Sequence, residues 1–146
     1  MILFNFAESL AELIEEKNLT PAQLADTIGC GRGTISRYLH AQKMPKIQLL
    51  VRLADFFDCS TDYLLGRETE KYPRVFFSCP SFQERLPILC QQLNITKYKL
   101  QKDTGIAESA IYSWQRGTES PNLENVLKIA DTYNCTVDFI IGRSNL

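Results

Sequence analysis

No apolar run in this sequence approaches the roughly 18 to 20 residues that a membrane-spanning helix requires. The N-terminus also lacks the basic stretch and the small-residue cleavage site of a signal peptide. A cytoplasmic protein with no membrane contact is therefore expected. The five cysteines form no C-x-x-C pair, and His40 is the single histidine. A structural zinc site and a disulfide framework are both disfavoured, and no metal is expected.

Signatures of catalysis are missing as well. No G-x-S-x-G, H-E-x-x-H or similar pattern occurs, so we expect neither an enzyme nor a cofactor. The sequence also lacks a large net charge, because its formal net charge is −1 at pH 7. The molecule as a whole is therefore not steered toward a polyanion, and any affinity for nucleic acid must come from a local concentration of basic residues.

The sequence contains an internal duplication. Residues 6–67 align without a gap with residues 82–143, which lie 76 positions further on. These segments are called copy one and copy two. Both end on the same pattern, CSTDYLLGR at 59–67 and CTVDFIIGR at 135–143. We predict a first domain at 1–67, a linker at 68–81 and a second domain at 82–146.

The apolar spacing is helical throughout each copy. Phe6, Leu10, Leu13 and Ile14 recur at i, i+4, i+7 and i+8, and no strand-like alternation competes with this pattern. Capping, glycine and proline signals divide each copy into five short helices. These signals are Thr20, Gly29, Pro45 and Ser60 in copy one, and Thr96, Gly105, Pro121 and Thr136 in copy two.

Five short helices, with the second and third joined through a glycine turn, are typical of a helix-turn-helix domain. The segment LTPAQLADTIGCGRGTISRYLHAQKMP at 19–45 and its counterpart ITKYKLQKDTGIAESAIYSWQRGTESP at 95–121 resemble the lambda-repressor/Cro type, or XRE family. The resemblance covers nearly the whole of each copy. It implies an all-α fold of two tandem five-helix domains. It also implies a transcriptional regulator that binds double-stranded DNA through a recognition helix in the major groove.

The sequence departs from the family pattern in three places. A phosphate-binding glutamine of the second helix is replaced by Pro21 in copy one and by Lys97 in copy two, and only the lysine keeps that contact. Gln101 stands where the family has a small residue, which predicts a different packing of the two motif helices in copy two. The usual capping hydroxyl of the recognition helix is replaced by Gly31 or Ala107, which predicts a weaker helix start.

The third helix of each copy is expected to expose the side chains that contact bases. In copy one, Ile35 and either Tyr38 or Leu39 turn inward; in copy two, Ile111 and Trp114 do so. Glu108 then faces outward too, where it accepts from cytosine but repels phosphates. The predicted DNA-binding residues are Arg32, Gly33, Ser36, Arg37, Lys43 and Lys46 in copy one, with Lys97, Ser109, Tyr112, Ser113 and Arg116 in copy two.

Charge distinguishes the copies. Residues 27–54 hold five basic and no acidic residues, whereas the aligned residues 103–130 hold two basic and four acidic ones. Copy two therefore lacks a comparable basic surface, unless Lys97, Lys99 and Lys102 on its second helix compensate. We therefore hypothesise that copy one supplies most DNA affinity and that copy two is a second reader or a docking and dimerisation module. The alternative is a protein-interaction or antitoxin-like module on the same fold.

The linker leaves two arrangements open. Fourteen residues stretch to roughly 46 Å, and adjacent major-groove faces lie about 34 Å apart, so one chain reaches two sites as a pseudo-dimer. The apolar run Val75 to Phe77 instead favours packing on a domain or a homodimer. The sequence identifies no small-molecule effector.

Overall fold

The structure, a computed structural model, describes residues 2–71 and 75–145, and none of these residues forms a strand. The chain divides into two compact units, Met1–Arg74 and Val75–Leu146. In the first, the helices are α1 Ile2–Glu16, α2 Pro21–Ile28, α3 Arg32–Leu39, α4 Ile47–Phe56 and α5 Thr61–Leu64. In the second they are α6 Phe82–Leu93, α7 Lys97–Thr104, α8 Glu108–Arg116, α9 Leu123–Thr132 and α10 Val137–Ile141.

The predicted fold class is confirmed, because the described residues of each unit form five helices in the predicted order. No helix of the described residues is long and apolar enough to cross a membrane. The domain boundaries proposed from the duplication, at 67/68 and 81/82, stay a prediction. Within the proposed linker, Lys71 Nζ lies 3.0 Å from Glu16 Oε2 of copy one, and Phe77 N donates to the carbonyl of Arg143 in copy two at 2.8 Å.

Local capping chemistry sets where the motif helices begin and end. Thr20 Oγ1 accepts from the N–H of Gln23 at 3.1 Å, and Gln23 Oε1 accepts in return from the N–H of Thr20 at 2.8 Å. This reciprocal capping box satisfies two amides that helix geometry leaves unpaired. At the other end of α2, Gly29 has φ +84°, a left-handed conformation that glycine adopts without a side-chain clash. The predicted capping signal at Thr20 and the predicted glycine turn at Gly29 are both confirmed.

In each copy, the third helix packs against the first through an aromatic pair. Phe6 of α1 meets Tyr38 of α3 edge to face, with ring centroids 5.4 Å apart. The aligned Phe82 of α6 and Trp114 of α8 repeat the contact at 5.5 Å. All four side chains are buried. Of the two residues predicted as alternatives for the inward position on α3, Tyr38 and Leu39, it is therefore Tyr38 that turns inward.

The repeated nine-residue ending closes each copy with an ion pair. In copy one, Asp62 Oδ1 accepts from Arg67 Nε at 2.9 Å. In copy two, Asp138 Oδ1 accepts from Arg143 Nη1 at 3.1 Å, and both side chains are almost completely buried. The carbonyl of the same aspartate also accepts from the N–H of the arginine, at 2.8 Å in each copy. These two contacts of the aspartate–arginine pair, called the clasp, hold the last helix against the residues that follow it. They explain why the pattern is duplicated.

A second buried cation has no counterpart in copy one, where Ser9 aligns with it. Arg85 of α6 donates through Nε to the carbonyl of Ile140 at 3.2 Å, through Nη2 to the carbonyl of Phe139, and through Nη1 to Gln92 Oε1 at 2.8 Å. Burial lowers the pKa of this guanidinium. Arg85 thus satisfies carbonyls at the end of α10, a role that the sequence did not predict.

The motif helices pack differently in the two copies, as expected from Gln101. Ala25 is completely buried on α2, whereas Gln101, at the equivalent place on α7, is half-buried. Accordingly, α7 and α8 make less contact with each other than α2 and α3 do.

We predict that Asp138→Ala destabilises copy two by about 3–5 kcal/mol, because it leaves the Arg143 guanidinium buried without its carboxylate. The single tryptophan, Trp114, is buried in copy two, so its fluorescence during urea unfolding reports this change. Glu119→Gln, an exposed carboxylate in the same copy, serves as the control and is expected to cost less than about 0.5 kcal/mol. Equal unfolding midpoints for Asp138→Ala and wild type would show that the clasp carries no stability.

Candidate nucleic-acid interface

Helix α3 presents one face to the core and the other to solvent. Ile35 and Tyr38 are buried, because their spacing of three positions places them on the same side of a helix. The predicted outward residues, Arg32, Gly33, Ser36 and Arg37, are all exposed. The predicted orientation of the recognition helix is thus confirmed, whereas contact of these residues with DNA stays a prediction.

Arg32 has an acidic neighbour that the sequence reading missed. Its Nη2 lies 3.1 Å from Asp26 Oδ2 of α2, and the two side chains are 69% and 63% exposed. The basic segment identified from the sequence began at residue 27, one position after this aspartate. Exposed ion pairs contribute little, about 0–1 kcal/mol, so this pair holds Arg32 only weakly.

Arg37 and His40 each lie close to another part of α3. A Cβ atom added to Gly33 would lie 3.8 Å from Arg37 Nη2, so the guanidinium extends along the helix over the glycine. At the end of α3, His40 Nδ1 donates to the carbonyl of Ser36 at 2.7 Å, since a carbonyl oxygen only accepts. The histidine therefore helps to terminate α3.

The equivalent surface of copy two is only partly as predicted. Ile111 and Trp114 are buried. Ser109 and Tyr112 are exposed. Ser113, however, is half-buried, and its hydroxyl donates to the carbonyl of Ser109 at 3.0 Å. The Ser113 hydroxyl therefore keeps only its acceptor lone pairs for an outside partner, and contact of these copy-two residues with DNA stays a prediction.

Aromatic and basic side chains mix on the exposed face of copy two. The Arg116 guanidinium lies over the ring of Tyr112, 5.4 Å from its centroid. Tyr98, on α7, is 71% exposed. Lys97, half-buried, is the first residue of α7. The sequence reading did not select Tyr98, although an aromatic residue beside three lysines on one short helix is a visible signal.

One of those three lysines, Lys99, forms an ion pair within copy two. Lys99 Nζ lies 3.1 Å from Asp103 Oδ1, and Tyr133 donates to Asp103 Oδ2 at 2.9 Å. The Tyr133 hydrogen bond and then the Lys99 ammonium lower the pKa of Asp103, so this carboxylate stays negative at neutral pH. It offsets part of the positive charge that α7 was expected to contribute.

A basic groove lies in copy one where α3, the loop after it and the start of α4 meet. Its volume is about 230 Å³. Lys43 and Lys46, both predicted to bind DNA, line it together with Arg52. All three cations are exposed. Arg52 belongs to the basic segment 27–54 but is not among the predicted DNA-binding residues.

The same division into two helix-turn-helix units appears in comparisons with protein families. A helix-turn-helix family matches residues 10–64, and the Cro/C1-type helix-turn-helix DNA-binding domain matches residues 85–143. The chain is a tandem helix-turn-helix protein of the XRE family. The resemblance identified from the motif residues is thereby confirmed for both copies.

Several curated regulators are similar to part of this XRE-family chain. The HTH-type transcriptional regulator AnsR of Bacillus subtilis is 38% identical over 64 residues, which cover 44% of this chain and 55% of AnsR. The uncharacterized HTH-type transcriptional regulator YobD of the same organism is 34% identical over 48% of this chain and 62% of its own length. The cryptic phage CTXphi transcriptional repressor RstR of Vibrio cholerae is 37% identical over 41% of this chain and 54% of RstR. The chain thus spans a little over half the length of these relatives. No solved structure matches it significantly.

We predict that Tyr38→Phe makes the protein less sensitive to alkaline pH. Burial raises the pKa of Tyr38 to about 12, above the value of about 10 for an unfolded chain. Its contribution to folding is therefore complete below about pH 10 and is lost as the pH rises through about 12. Urea unfolding followed by circular dichroism from about pH 9 to about pH 12 should show a steeper decline for wild type than for Tyr38→Phe. Tyr98→Phe, at an exposed site, should follow wild type. Parallel declines in all three proteins would contradict a buried Tyr38 hydroxyl.

Proposed function

We propose that this chain is a sequence-specific DNA-binding transcriptional regulator in which copy one provides most of the affinity and base recognition. The observation that carries this proposal is the exposed face of α3, where Arg32 and Arg37 project on the side opposite the buried Ile35 and Tyr38. A major groove presents acceptors on guanine that suit the planar donor set of arginine. The similarity to curated transcriptional regulators supports the same activity.

The neighbouring charges support contact with the phosphate backbone. Lys43, Lys46 and Arg52 lie on the same side of copy one, around the basic groove. Phosphate contacts position a protein on DNA and release counter-ions, whereas base contacts determine sequence preference. In this proposal, Ser36 contacts a base edge, Gly33 allows close approach, and the lysines hold the backbone.

Copy two has a different role in this proposal. Glu108 begins its third helix where copy one has Arg32, and Ser113 bonds to its own helix where copy one has Arg37. Tyr112 and Arg116 remain exposed, and Lys97 offers a phosphate contact at the start of α7. Copy two therefore acts as a weaker second reader or as a dimerisation surface. The regulator acts in the cytoplasm, either as a pseudo-dimer on one DNA face or as a homodimer.

Arg37→Ala is expected to weaken binding to the preferred duplex by about 1–3 kcal/mol, because a bidentate arginine contact to guanine is lost. The purified chain is first used to enrich a site from a randomised duplex pool. The enriched duplex is then titrated at two salt concentrations. Ser113→Ala, the aligned substitution in copy two, is the matched control and should stay within about 0.5 kcal/mol of wild type.

The pattern of losses tests the assignment of roles. Wild type should lose affinity steeply with salt, which reports several phosphate contacts. If Arg37→Ala binds like wild type while Tyr112→Ala abolishes binding, the roles of the two copies are reversed. If no duplex is enriched, the regulator proposal is wrong.

A protein-interaction module is the second candidate function. The observation that favours it is the exposed pair Tyr98 and Tyr112 of copy two, 71% and 55% exposed, beside the acidic segment 103–130. Exposed tyrosines are enriched at protein interfaces. This function predicts a stable hetero-complex whose affinity is unchanged by DNA and is reduced at least tenfold by Tyr98→Ala with Tyr112→Ala. Isolation of such a complex by size-exclusion chromatography, together with failure to enrich any duplex, would favour this function over DNA binding.

A further inference from the structure

The outer face of α6 lacks the charges that cover the equivalent face of α1. On α1, four exposed positions carry glutamate, whereas the aligned positions of α6, also exposed, carry one glutamate, one isoleucine and two glutamines. Copy two thus has an apolar and two amide side chains where copy one has three negative charges. The aligned pairs are Glu8 with Glu84, Glu12 with Ile88, Glu15 with Gln91 and Glu16 with Gln92.

The residues at the centre of this face do not serve the core of copy two. Ile88 is 48% exposed, and its neighbour Pro87, inside the helix, is exposed as well. Copy one has Ala11 in place of this proline, and proline inside a helix costs about 3 kcal/mol relative to alanine. The proline also deprives the Gln83 carbonyl of its ordinary helix donor. Loss of charge together with an exposed apolar side chain is typical of the centre of a protein interface.

The chemistry of this face complements itself. Glu84, Ile88 and Gln91 are spaced by four and three positions, so they form one stripe along the helix. When two such stripes meet antiparallel about a two-fold axis at Ile88, the two isoleucines face each other. Glu84 of each chain then lies opposite Gln91 of the partner chain, and its carboxylate accepts from the amide NH₂. A two-fold dimer requires this kind of self-complementary surface.

The glutamines of the face are available for such contacts. Within the part of the chain that the structure describes, the Gln91 side chain has no hydrogen-bond partner. Gln92 Oε1 accepts from Arg85 Nη1 at 2.8 Å, which leaves the Gln92 NH₂ group to donate. Because Arg85 is itself bonded to carbonyls of α10, it fixes the edge of the face next to Gln92.

The same arrangement is unfavourable for α1. An antiparallel pair of α1 helices would place Glu8 opposite Glu15 of the partner chain, and an α1 helix facing α6 of another chain would place Glu15 opposite Glu84. Like charges opposite one another are destabilising. Charge therefore selects a second α6 as the occupant of this face.

We infer that Glu84, Pro87, Ile88 and Gln91, called the α6 face, form a surface through which two molecules of this chain associate as a homodimer. The helix has 12 residues and is therefore about 18 Å long. A contact of this length lies at the small end of specific interfaces, below about 1,200 Å² in total. The dimer is accordingly weak and reversible.

Association through the α6 face needs no DNA. Its consequence for DNA binding rests on the proposed function, because a two-fold dimer presents two identical α3 helices. Two-fold related recognition helices prefer a duplex whose two half-sites are inverted repeats. The α6 face therefore distinguishes a homodimer from a pseudo-dimer, whose two different third helices would prefer two different half-sites.

Sedimentation equilibrium of the full chain without DNA, across the micromolar range, tests this surface. The mass of wild type should rise with concentration from 16.7 kDa toward twice that value. Ile88→Glu, which gives α6 the glutamate of copy one, should weaken association about tenfold or more, because two carboxylates then meet at the axis. Glu12→Gln, at the aligned position of α1, is the control and should associate like wild type. Both positions are exposed, so both variants should keep the melting temperature of wild type.

A charge exchange tests the antiparallel pairing. Gln91→Glu places a carboxylate opposite Glu84 of the partner chain and should weaken association about tenfold. Adding Glu84→Lys to this variant should restore association, because a lysine then faces the new glutamate. Within one chain these two positions lie about 10.5 Å apart along the helix, which is too far for an ion pair. Damage to the fold would instead leave the double variant no better than the single one.

The remaining outcomes decide against the surface or against its consequence. A monomer at every concentration overturns the α6 face. A dimer that persists in Ile88→Glu but is lost in Val75→Glu assigns association to the segment Val75 to Phe77 and also overturns it. A dimer that Ile88→Glu abolishes supports the α6 face even if no duplex is enriched, in which case the proposed function alone fails. Enrichment of a duplex without inverted repeats overturns only the consequence for DNA binding.

Discussion

An edge-to-face aromatic contact between the first and third helices is the interaction on which the exposed surface of each copy depends. Phe6 with Tyr38, and Phe82 with Trp114, fix the rotation of the third helix about its own axis. Once that rotation is fixed, helical periodicity determines which side chains face solvent. The buried aromatic contact therefore determines the direction in which Arg37 projects.

Duplication under this constraint explains how two copies keep one fold and differ in surface. The aromatic pair, the capping hydroxyls and the closing aspartate–arginine pair recur at aligned positions. Residues that face outward carry no such requirement. The charge of copy one and the mixed aromatic surface of copy two could therefore diverge while the packing stayed the same.

The sequence was sufficient to predict the elements whose signals are local. The Thr20 capping box, the Gly29 turn and the inward position of Ile35 each depend on residues a few positions apart. Contacts that join distant residues were not predictable in this way. Arg85 reaches carbonyls 54 and 55 positions away, and nothing in its neighbours indicates a buried guanidinium. Asp26 pairs with Arg32 across the turn, a contact that depends on the angle between α2 and α3. The clustering of Lys43, Lys46 and Arg52 around one groove likewise requires the packing of α3 and α4.

The buried clasp of copy two also involves the segment by which the chain enters this copy. The Arg143 guanidinium lies over the ring of Phe76, 3.9 Å from its centroid, and the Arg143 carbonyl accepts from the N–H of Phe77 at 2.8 Å. Entry and exit of the copy therefore meet at a single residue. Because the two ends of copy two lie together, the segments that precede and follow it in a tandem array need not cross its core. A tension applied along the chain would therefore load the contacts of Arg143 with Phe76 and Phe77 before it reached the helices.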